Sequence, residues 1–191
     1  MTNSATATRG NKRDRLIASA MELIHRQGVE RPTLAEIAEA ADVPPGNVYY
    51  YFKTKDELID AVVQARASEV RELLDSLDRR RTPAARLKGL ARNWHEARDL
   101  VVDHGCPLGT LSVELNDHED GLSRPGARLF SALIDWSEIQ FRAMGARPAR
   151  EHALTLISTV QGAALLSSAL SDPAILVSQV HRLERWIDSL A

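Results

Sequence analysis

Cysteine, aromatic residues and net charge are all scarce in this sequence. Its 191 residues include a single cysteine, Cys106, which excludes an intramolecular disulfide framework and a zinc site built from several cysteines. Aromatic residues make up 5% of the chain, and the formal net charge is only −2. Because the molecule as a whole is not a polycation, any binding to nucleic acid must come from a local basic patch.

Long apolar runs and catalytic motifs are missing as well. No apolar run approaches the roughly 20 residues that cross a bilayer, and the polar first residues lack the apolar core of a secretion signal. Glycine-rich phosphate loops, carboxylate pairs and zinc-ligand spacings are absent. Cys106 and His104 are the one nucleophile–base pair to consider, but residues two apart on a helix do not face each other. We therefore expect a soluble cytoplasmic protein that is not an enzyme and has no metal or cofactor.

Helical periodicity runs through almost the whole chain, and the alternating pattern of strands is absent. Capping boxes and prolines mark the helix starts, and glycines mark several of the ends. The sequence therefore predicts an all-α fold of about nine helices. Their approximate ranges are residues 12–27, 33–41, 44–52, 54–79, 82–104, 106–116, 125–144, 148–170 and 172–190.

The segment from Thr33 to Leu58 has the pattern of a helix-turn-helix. It opens with a Thr-x-x-Glu capping box, continues through a four-residue turn at 41–44, and enters a short helix that contains three consecutive tyrosines before Phe52. Such a turn sets the two helices roughly perpendicular, and the second of them enters the major groove of DNA. The segment therefore predicts a DNA-reading unit.

The short helix after the turn divides into two faces. Val48, Tyr51 and Phe52 fall on the side that packs inward. Gly46, Asn47 and Tyr50 fall on the other, where glycine permits close approach and an asparagine matches the edge of adenine. Tyr49 and Tyr50 also offer hydroxyls to phosphates. The alternative is a helical core in which every aromatic residue merely packs, and we keep that interpretation for Tyr51 and Phe52.

Phosphate contacts are predicted at two helix starts and along the N-terminal arm. Thr33 and Lys55 each stand where free N–H groups and the helix dipole favour an anion. The arm residues Arg9, Lys12, Arg13 and Arg15 are predicted to follow the DNA backbone or to enter the minor groove.

These motifs resemble the signature of the TetR/AcrR family of bacterial repressors. The similarity is carried by VPPGNVYYYFKTKDEL and by RLIASAMELIHRQGVERPTLAEIAEAADV upstream of it. The resemblance implies a disordered basic arm over residues 1–11, an HTH DNA-binding domain over 12–54, and a ligand-binding and dimerisation domain over 55–191. It also implies that Thr33, Tyr49 and Lys55 hold phosphates, whereas Gly46, Asn47 and Tyr50 face bases. Two prolines depart from the signature: Pro44 replaces a serine or threonine N-cap, and Pro45 replaces an often polar DNA-facing residue.

The last two predicted helices carry the largest apolar surfaces. The first of them, EHALTLISTVQGAALLSSAL, is apolar nearly all round, and the last has one apolar stripe. A single chain can absorb both in its own core. Alternatively, these helices from two subunits form a four-helix bundle in an isologous dimer, as the resemblance implies. We predict a homodimer through the last two helices. The stripe consists of Leu176, Val180, Leu183, Ile187 and Leu190.

The resemblance also implies a cavity for a small apolar or aromatic effector between about Leu87 and Met144. For each candidate wall residue the alternative is ordinary core packing. The segment GCPLGTLSVEL, residues 105–115, resembles a motif of the LmrA/YxaF-like branch of the family. The resemblance implies an oxidant or electrophile switch at Cys106; the alternative is that the thiol simply packs. The implied function is a ligand-responsive repressor of palindromic operators; the alternatives are a thiol-switch repressor and an HTH protein without a ligand. The candidate wall residues are Trp94, His95, Val101, Cys106, Leu111, Leu115, Phe130, Ile134 and Phe141.

Overall fold

The computed structural model describes residues 11–116 and 125–191, and these ranges consist of helices joined by turns and loops, with no strand. The predicted all-α class is confirmed. The helix predicted over residues 82–104 is present as two helices that meet at Ala97, so the described residues form ten helices. They are α1 (Lys12–Gln27), α2 (Leu34–Ala40), α3 (Pro45–Tyr51), α4 (Lys55–Asp78), α5 (Pro83–Glu96), α6 (Arg98–His104), α7 (Pro107–Asn116), α8 (Pro125–Ala143), α9 (Ala149–Ala169) and α10 (Pro173–Ser189).

Helix boundaries follow the capping residues that the sequence supplies. The Thr82 side chain accepts a hydrogen bond from the N–H of Ala85 at the start of α5. Asp172 does the same for the N–H of Ala174 at the start of α10. In both helices a proline occupies the first turn, where its missing N–H is not needed. Across the two described ranges, no helix is long and apolar enough to cross a membrane.

The chain divides into two compact units, the first ending at Ala65 and the second beginning at Arg66. The first unit comprises α1, α2, α3 and the opening turns of α4. Its buried side chains include Leu16 of α1, Ile37 of α2, Val48 of α3 and Leu58 of α4. The second unit contains the rest of α4 and all later helices, and it has a large apolar core of its own.

In the second unit, α9 lies against α8 and α10, and α10 lies against α5. The apolar stripe of α10 is therefore covered by its own chain: Leu176, Val180 and Ile187 are fully buried and Leu183 nearly so. The prediction that this stripe faces a second subunit is wrong, because α5 and α9 already cover it. The large apolar residues left exposed lie on other helices, among them Ile139 of α8 and Leu165 of α9.

Candidate nucleic-acid interface and ligand cavity

The turn between α2 and α3 is held by its own backbone and by α1. Asp42 adopts a left-handed conformation (φ 51°), and its N–H donates to the carbonyl of Glu39. The N–H of Val43 donates to the carbonyl of Ala38, which completes a Schellman motif. Arg15 of α1 donates to the Asp42 carbonyl at 3.0 Å and to its carboxylate at 3.3 Å. These bonds fix the direction in which α3 leaves the turn.

Helix α3 begins without a side-chain cap, as the prolines predicted. Pro44 is its N-cap residue and offers no side-chain acceptor, although its carbonyl accepts from the N–H of Asn47 at 2.8 Å. The missing cap leaves the exposed start of this helix less stable than a serine or threonine would make it.

The side chains of α3 divide between core and surface. Val48 and the following Phe52 are buried, and Tyr51 is half-buried, as predicted. Tyr49 is 54% exposed and Tyr50 78% exposed. Tyr50 makes an edge-on contact with the Tyr51 ring, with 5.1 Å between the ring centres, and both exposed tyrosines present aromatic surface to the outside of the first unit.

The remaining predicted base-facing residues surround these tyrosines on the surface of the first unit. Pro45 and Gly46 are exposed, and Asn47 is half-buried. A Cβ built on Gly46 would meet no atom of the chain within 4 Å, so packing inside the protein does not require glycine here. The missing side chain leaves room for a close approach of another molecule from outside the protein.

Thr33, a predicted phosphate contact, is engaged in the capping box of α2. Its N–H and its hydroxyl each donate to the Oε2 atom of Glu36 at 2.8 Å, and the N–H of Glu36 donates back to the Thr33 hydroxyl at 3.2 Å. The pKa of Glu36 lies below its ordinary value of 4.5. The hydrogen bond from the Thr33 N–H is the larger cause, and the bond from the Thr33 hydroxyl is the smaller one. A carboxylate therefore occupies the anion position at this helix start.

Two of the predicted basic contacts in the first unit, Lys55 and Arg13, already interact with other residues of the protein. The ammonium of Lys55 donates to the carbonyl of Glu30 at 2.5 Å. The guanidinium of Arg13 lies over the ring of Phe52, 5.3 Å from its centre. Lys12 is exposed, whereas Arg9 lies outside the described residues. Lysine has three donors, so Lys55 is oriented by this bond and keeps donors for a phosphate.

The second unit contains a cavity of about 240 Å³ with mostly apolar walls. Trp94, Val101 and Cys106 line it, so three of the predicted wall residues are brought together. Cys106 is buried, and its carbonyl accepts from the N–H of Thr110 at 2.9 Å, as befits the residue that precedes α7. The lining residues are Arg66, Glu69, Val70, Leu73, Asn93, Trp94, Ala97, Val101, Cys106, Pro107, Leu108 and Leu133.

Two aromatic or polar candidates lie elsewhere in the second unit, and their assignment to this cavity was wrong. Phe141 is fully buried, with its ring centre 5.5 Å from that of His152 and 5.6 Å from that of Trp186. His95 borders a separate polar cleft, where its ring lies 5.7 Å from that of His181. Phe141 belongs to the core because it is inserted among α8, α9 and α10.

The other four candidates also do not line this cavity. Leu111 is buried, and Leu115, Phe130 and Ile134 are half-buried. On α7 and α8 the positions that reach the cavity are Leu108 and Leu133 instead. Periodicity shows which helices carry apolar faces, but it does not show which position on a face meets a void rather than a neighbouring helix.

The sequence analysis missed the contribution of α4, because it placed the cavity between about Leu87 and Met144. Arg66, Glu69, Val70 and Leu73 all line the cavity. Their spacing is i, i+3, i+4 and i+7, which puts them on one face of a helix. That spacing was the signal available in the sequence.

The two units together define a class of protein: an HTH DNA-binding unit joined to a helical unit that encloses a cavity. A family model described as bacterial regulatory proteins of the tetR family matches residues 16–62. A second, described as the C-terminal domain of LmrA/YxaF-like transcriptional regulators, matches residues 83–181. The chain belongs to the TetR family of bacterial regulatory proteins. It is an HTH transcriptional regulator, a class of protein that is not enzymatic.

Individual relatives agree with this assignment. An uncharacterized HTH-type transcriptional regulator in the lacX 3' region of Lactococcus lactis subsp. lactis is 25% identical over 91% of this chain and 92% of that protein. The crystal structure of regulatory protein TetR from Rhodobacter sphaeroides is similar with a TM-score of 0.78 and 25% identity, covering 90% of this chain and 96% of the other. A TetR regulator from Chloroflexus aurantiacus J-10-FL shares the fold, with a TM-score of 0.82 at 21% identity over 94% and 96% of the two chains.

Proposed function

We propose that this regulator is a repressor that binds a palindromic operator as a homodimer and releases it when a small molecule enters the cavity of the second unit. The observation that carries the ligand response is that cavity, about 240 Å³ with largely apolar walls. Ligand sites are typically concave, mostly apolar and equipped with few polar groups.

The DNA contacts divide into backbone and base contacts. Thr33, Tyr49 and Lys55, helped by Lys12 and Arg13, bind phosphates and set the register. The base-reading surface consists of Pro45, Gly46, Asn47 and Tyr50. Two such units bind half-sites about one helical turn of DNA apart, which requires a two-fold symmetric dimer.

An exposed apolar face on α8 and α9 supports the dimer. Its large members are 46–69% exposed; three of them lie on α9, and Leu170 is the C-cap residue of that helix. A second copy of the chain is the occupant that the proposed DNA symmetry requires, and an isologous contact covers the same face on both subunits. The members are Ile139, Leu154, Leu165, Leu166 and Leu170.

Gly162 adds a specific argument for a close helix contact on this face. It is exposed in the middle of α9, and a Cβ built on it would meet no atom of the chain within 4 Å. Glycine inside a helix costs about 1 kcal/mol relative to alanine, and nothing inside the protomer requires it. The close approach of a partner helix does.

Helix α4 provides the connection between cavity and DNA. It lines the cavity through Arg66, Glu69, Val70 and Leu73, and its first residue is Lys55. A ligand that alters the position of α4 alters the fit of Lys55 to its phosphate. The ligand can do so only through a difference in affinity for the two arrangements.

Two measurements on the full chain test this function. Aromatic and lipophilic metabolites are screened by thermal shift, because a ligand that binds the folded state raises the melting temperature by mass action. Each hit is then added to the protein bound to a fluorescent operator duplex. Hits should release the duplex; if no stabilising compound changes operator affinity, the gating proposal fails and an HTH protein without a ligand remains.

A thiol switch is a second candidate, favoured by one observation: Cys106 lines the cavity. An electrophile that enters the cavity would therefore reach its sulfur. The wild type and Cys106→Ser are treated with an electrophile, and operator affinity is measured. A response in the wild type alone supports the switch, and equal responses exclude it.

A further inference from the structure

The charged residues among those that line the cavity are Arg66 and Glu69, one turn apart on α4. The Nη1 atom of Arg66 donates to Oε2 of Glu69 at 2.8 Å. Their exposures differ: the Arg66 side chain is 17% exposed and the Glu69 side chain 55% exposed. The positive member of the pair is thus enclosed at the cavity, whereas the negative member stands largely in water.

This asymmetry makes the guanidinium the anchor of the site. A charge that is largely withdrawn from water is costly unless it is paired, so the half-buried Arg66 benefits from an anion beside it whether or not a ligand is present. Glu69 meets that need through a single bond of the five that a guanidinium offers. Glu69 itself returns to water at little cost because its side chain is already 55% exposed, but its departure leaves Arg66 unpaired unless another anion takes its place.

We propose that the effector is a small amphipathic anion whose carboxylate replaces that of Glu69 on Arg66. This inference rests on the proposed function, and it specifies the ligand class of the same cavity. The planar guanidinium binds a carboxylate through two parallel hydrogen bonds, a geometry that a single bond to Glu69 does not use. The apolar body of the anion lies against Trp94, Val101 and Leu133.

The size of the cavity limits that apolar body. A volume of about 240 Å³ is below the range of about 300–1,000 Å³ that is usual for drug-sized ligands. One aromatic ring with a short acidic chain is therefore the expected scale.

A cationic effector is disfavoured by the same asymmetry. An ammonium group would pair with Glu69 and take that carboxylate away from Arg66. The guanidinium, which is the more enclosed group, would then lose its partner, and that loss is the expensive one. An anionic effector replaces Glu69 as the partner of Arg66, whereas a cationic effector leaves Arg66 without a partner.

The test compares three ligands of one shape with the full-length protein: 3-phenylpropionate, its amide and 3-phenylpropylamine. Affinity is measured by calorimetry, and operator release is measured with a fluorescent duplex. The acid should bind at least about tenfold more tightly than the amide, since hydrogen bonds to charged groups are worth more than neutral ones. The amine should bind most weakly of the three.

Two variants and a control locate the effect. Arg66→Gln should lower the affinity for the acid to that for the amide. Glu69→Gln should raise the affinity for the acid, because the carboxylate that competes for Arg66 is removed. Arg71→Gln is the matched control, because Arg71 lies on the exposed side of α4, pairs with Ser68 and does not line the cavity. If Arg66→Gln does not fold, the Glu69→Gln result decides.

The outcomes separate this inference from the proposed function. If the acid binds no better than the amide or the amine, or does not bind, the anionic class is wrong. The proposed function then still stands if a neutral or cationic compound releases the operator, and it fails if no compound does. A preference for the acid that is lost in Arg66→Gln and kept in Arg71→Gln supports the inference.

Discussion

Thr33 donates both its backbone N–H and its hydroxyl to one carboxylate oxygen of Glu36, each over 2.8 Å. The same two donors belong to a residue that the family resemblance assigns to a DNA phosphate. In the proposed DNA complex, the carboxylate would compete with the phosphate for this helix start and repel it. We therefore expect Glu36 to stabilise α2 in the free protein at the expense of DNA affinity.

Glu36→Gln should consequently strengthen DNA binding. Glutamine keeps the capping box but removes the negative charge. Affinity should rise about two- to fivefold for every DNA sequence, which is the effect of one charge at a helix terminus. The slope of log affinity against log salt concentration should become steeper by up to about one. Fluorescence anisotropy with operator and unrelated duplexes over a range of salt measures both effects.

Glu39→Gln is the matched control, because Glu39 is an exposed acid on the same helix whose side chain takes no part in the box. It changes the net charge by the same amount. If both variants strengthen DNA binding equally, the effect is one of net charge, and the competition at Thr33 is excluded.

Glu36 should also make the stability of the protein depend on pH at the acidic end. Its folded pKa is lowered from 4.5 by the bonds from Thr33, so the folded state favours the ionised form. This contribution is fully present above the unfolded pKa and is lost as the pH falls through the lower folded pKa. Urea unfolding of wild type and Glu36→Gln should give a stability difference that shrinks over this interval. A difference independent of pH would contradict the assignment.

Lys55 and Asn47 should separate affinity from specificity. Lys55→Ala removes a phosphate contact, so binding should weaken uniformly across sequences, and the salt slope should fall by about one. Asn47→Ala removes a base contact, so it should reduce discrimination between operator and altered duplexes by about 1–3 kcal/mol. Equal effects of both variants on every duplex would show that the two roles are wrongly assigned.

The fold was largely readable because local chemistry and tertiary packing agree. The capping box at Thr33 and the prolines at Pro83 and Pro173 mark helix starts that the structure has at the same places. The break at Ala97 was not predicted, since no glycine or proline marks it. Helix ends that depend on tertiary packing leave no such local signal.

The exposed and buried sides of α3 were more predictable than the cavity for a physical reason. A surface residue such as Tyr50 needs only its own helix to define its direction. The cavity depends on which side chains fail to meet each other, and this is decided by the packing of several helices. Periodicity alone therefore could not separate Phe141, which is core, from Leu133, which lines the cavity. It also could not show that α5 and α9 cover the stripe of α10.

Gly162→Met should weaken the dimer while stabilising the protomer. A Cβ atom at this exposed position would meet nothing of the described residues within 4 Å, and replacing a helical glycine gains about 1 kcal/mol in helix propensity. The same side chain would hold a partner helix away, because packing at an interface tolerates little added volume. Sedimentation velocity over a range of concentrations should show a larger monomer fraction, together with weaker operator binding and a higher monomer melting temperature. Ser178→Met, on the exposed side of α10, is the control and should leave association unchanged. A Gly162→Met protein as dimeric as wild type would place the contact on another surface.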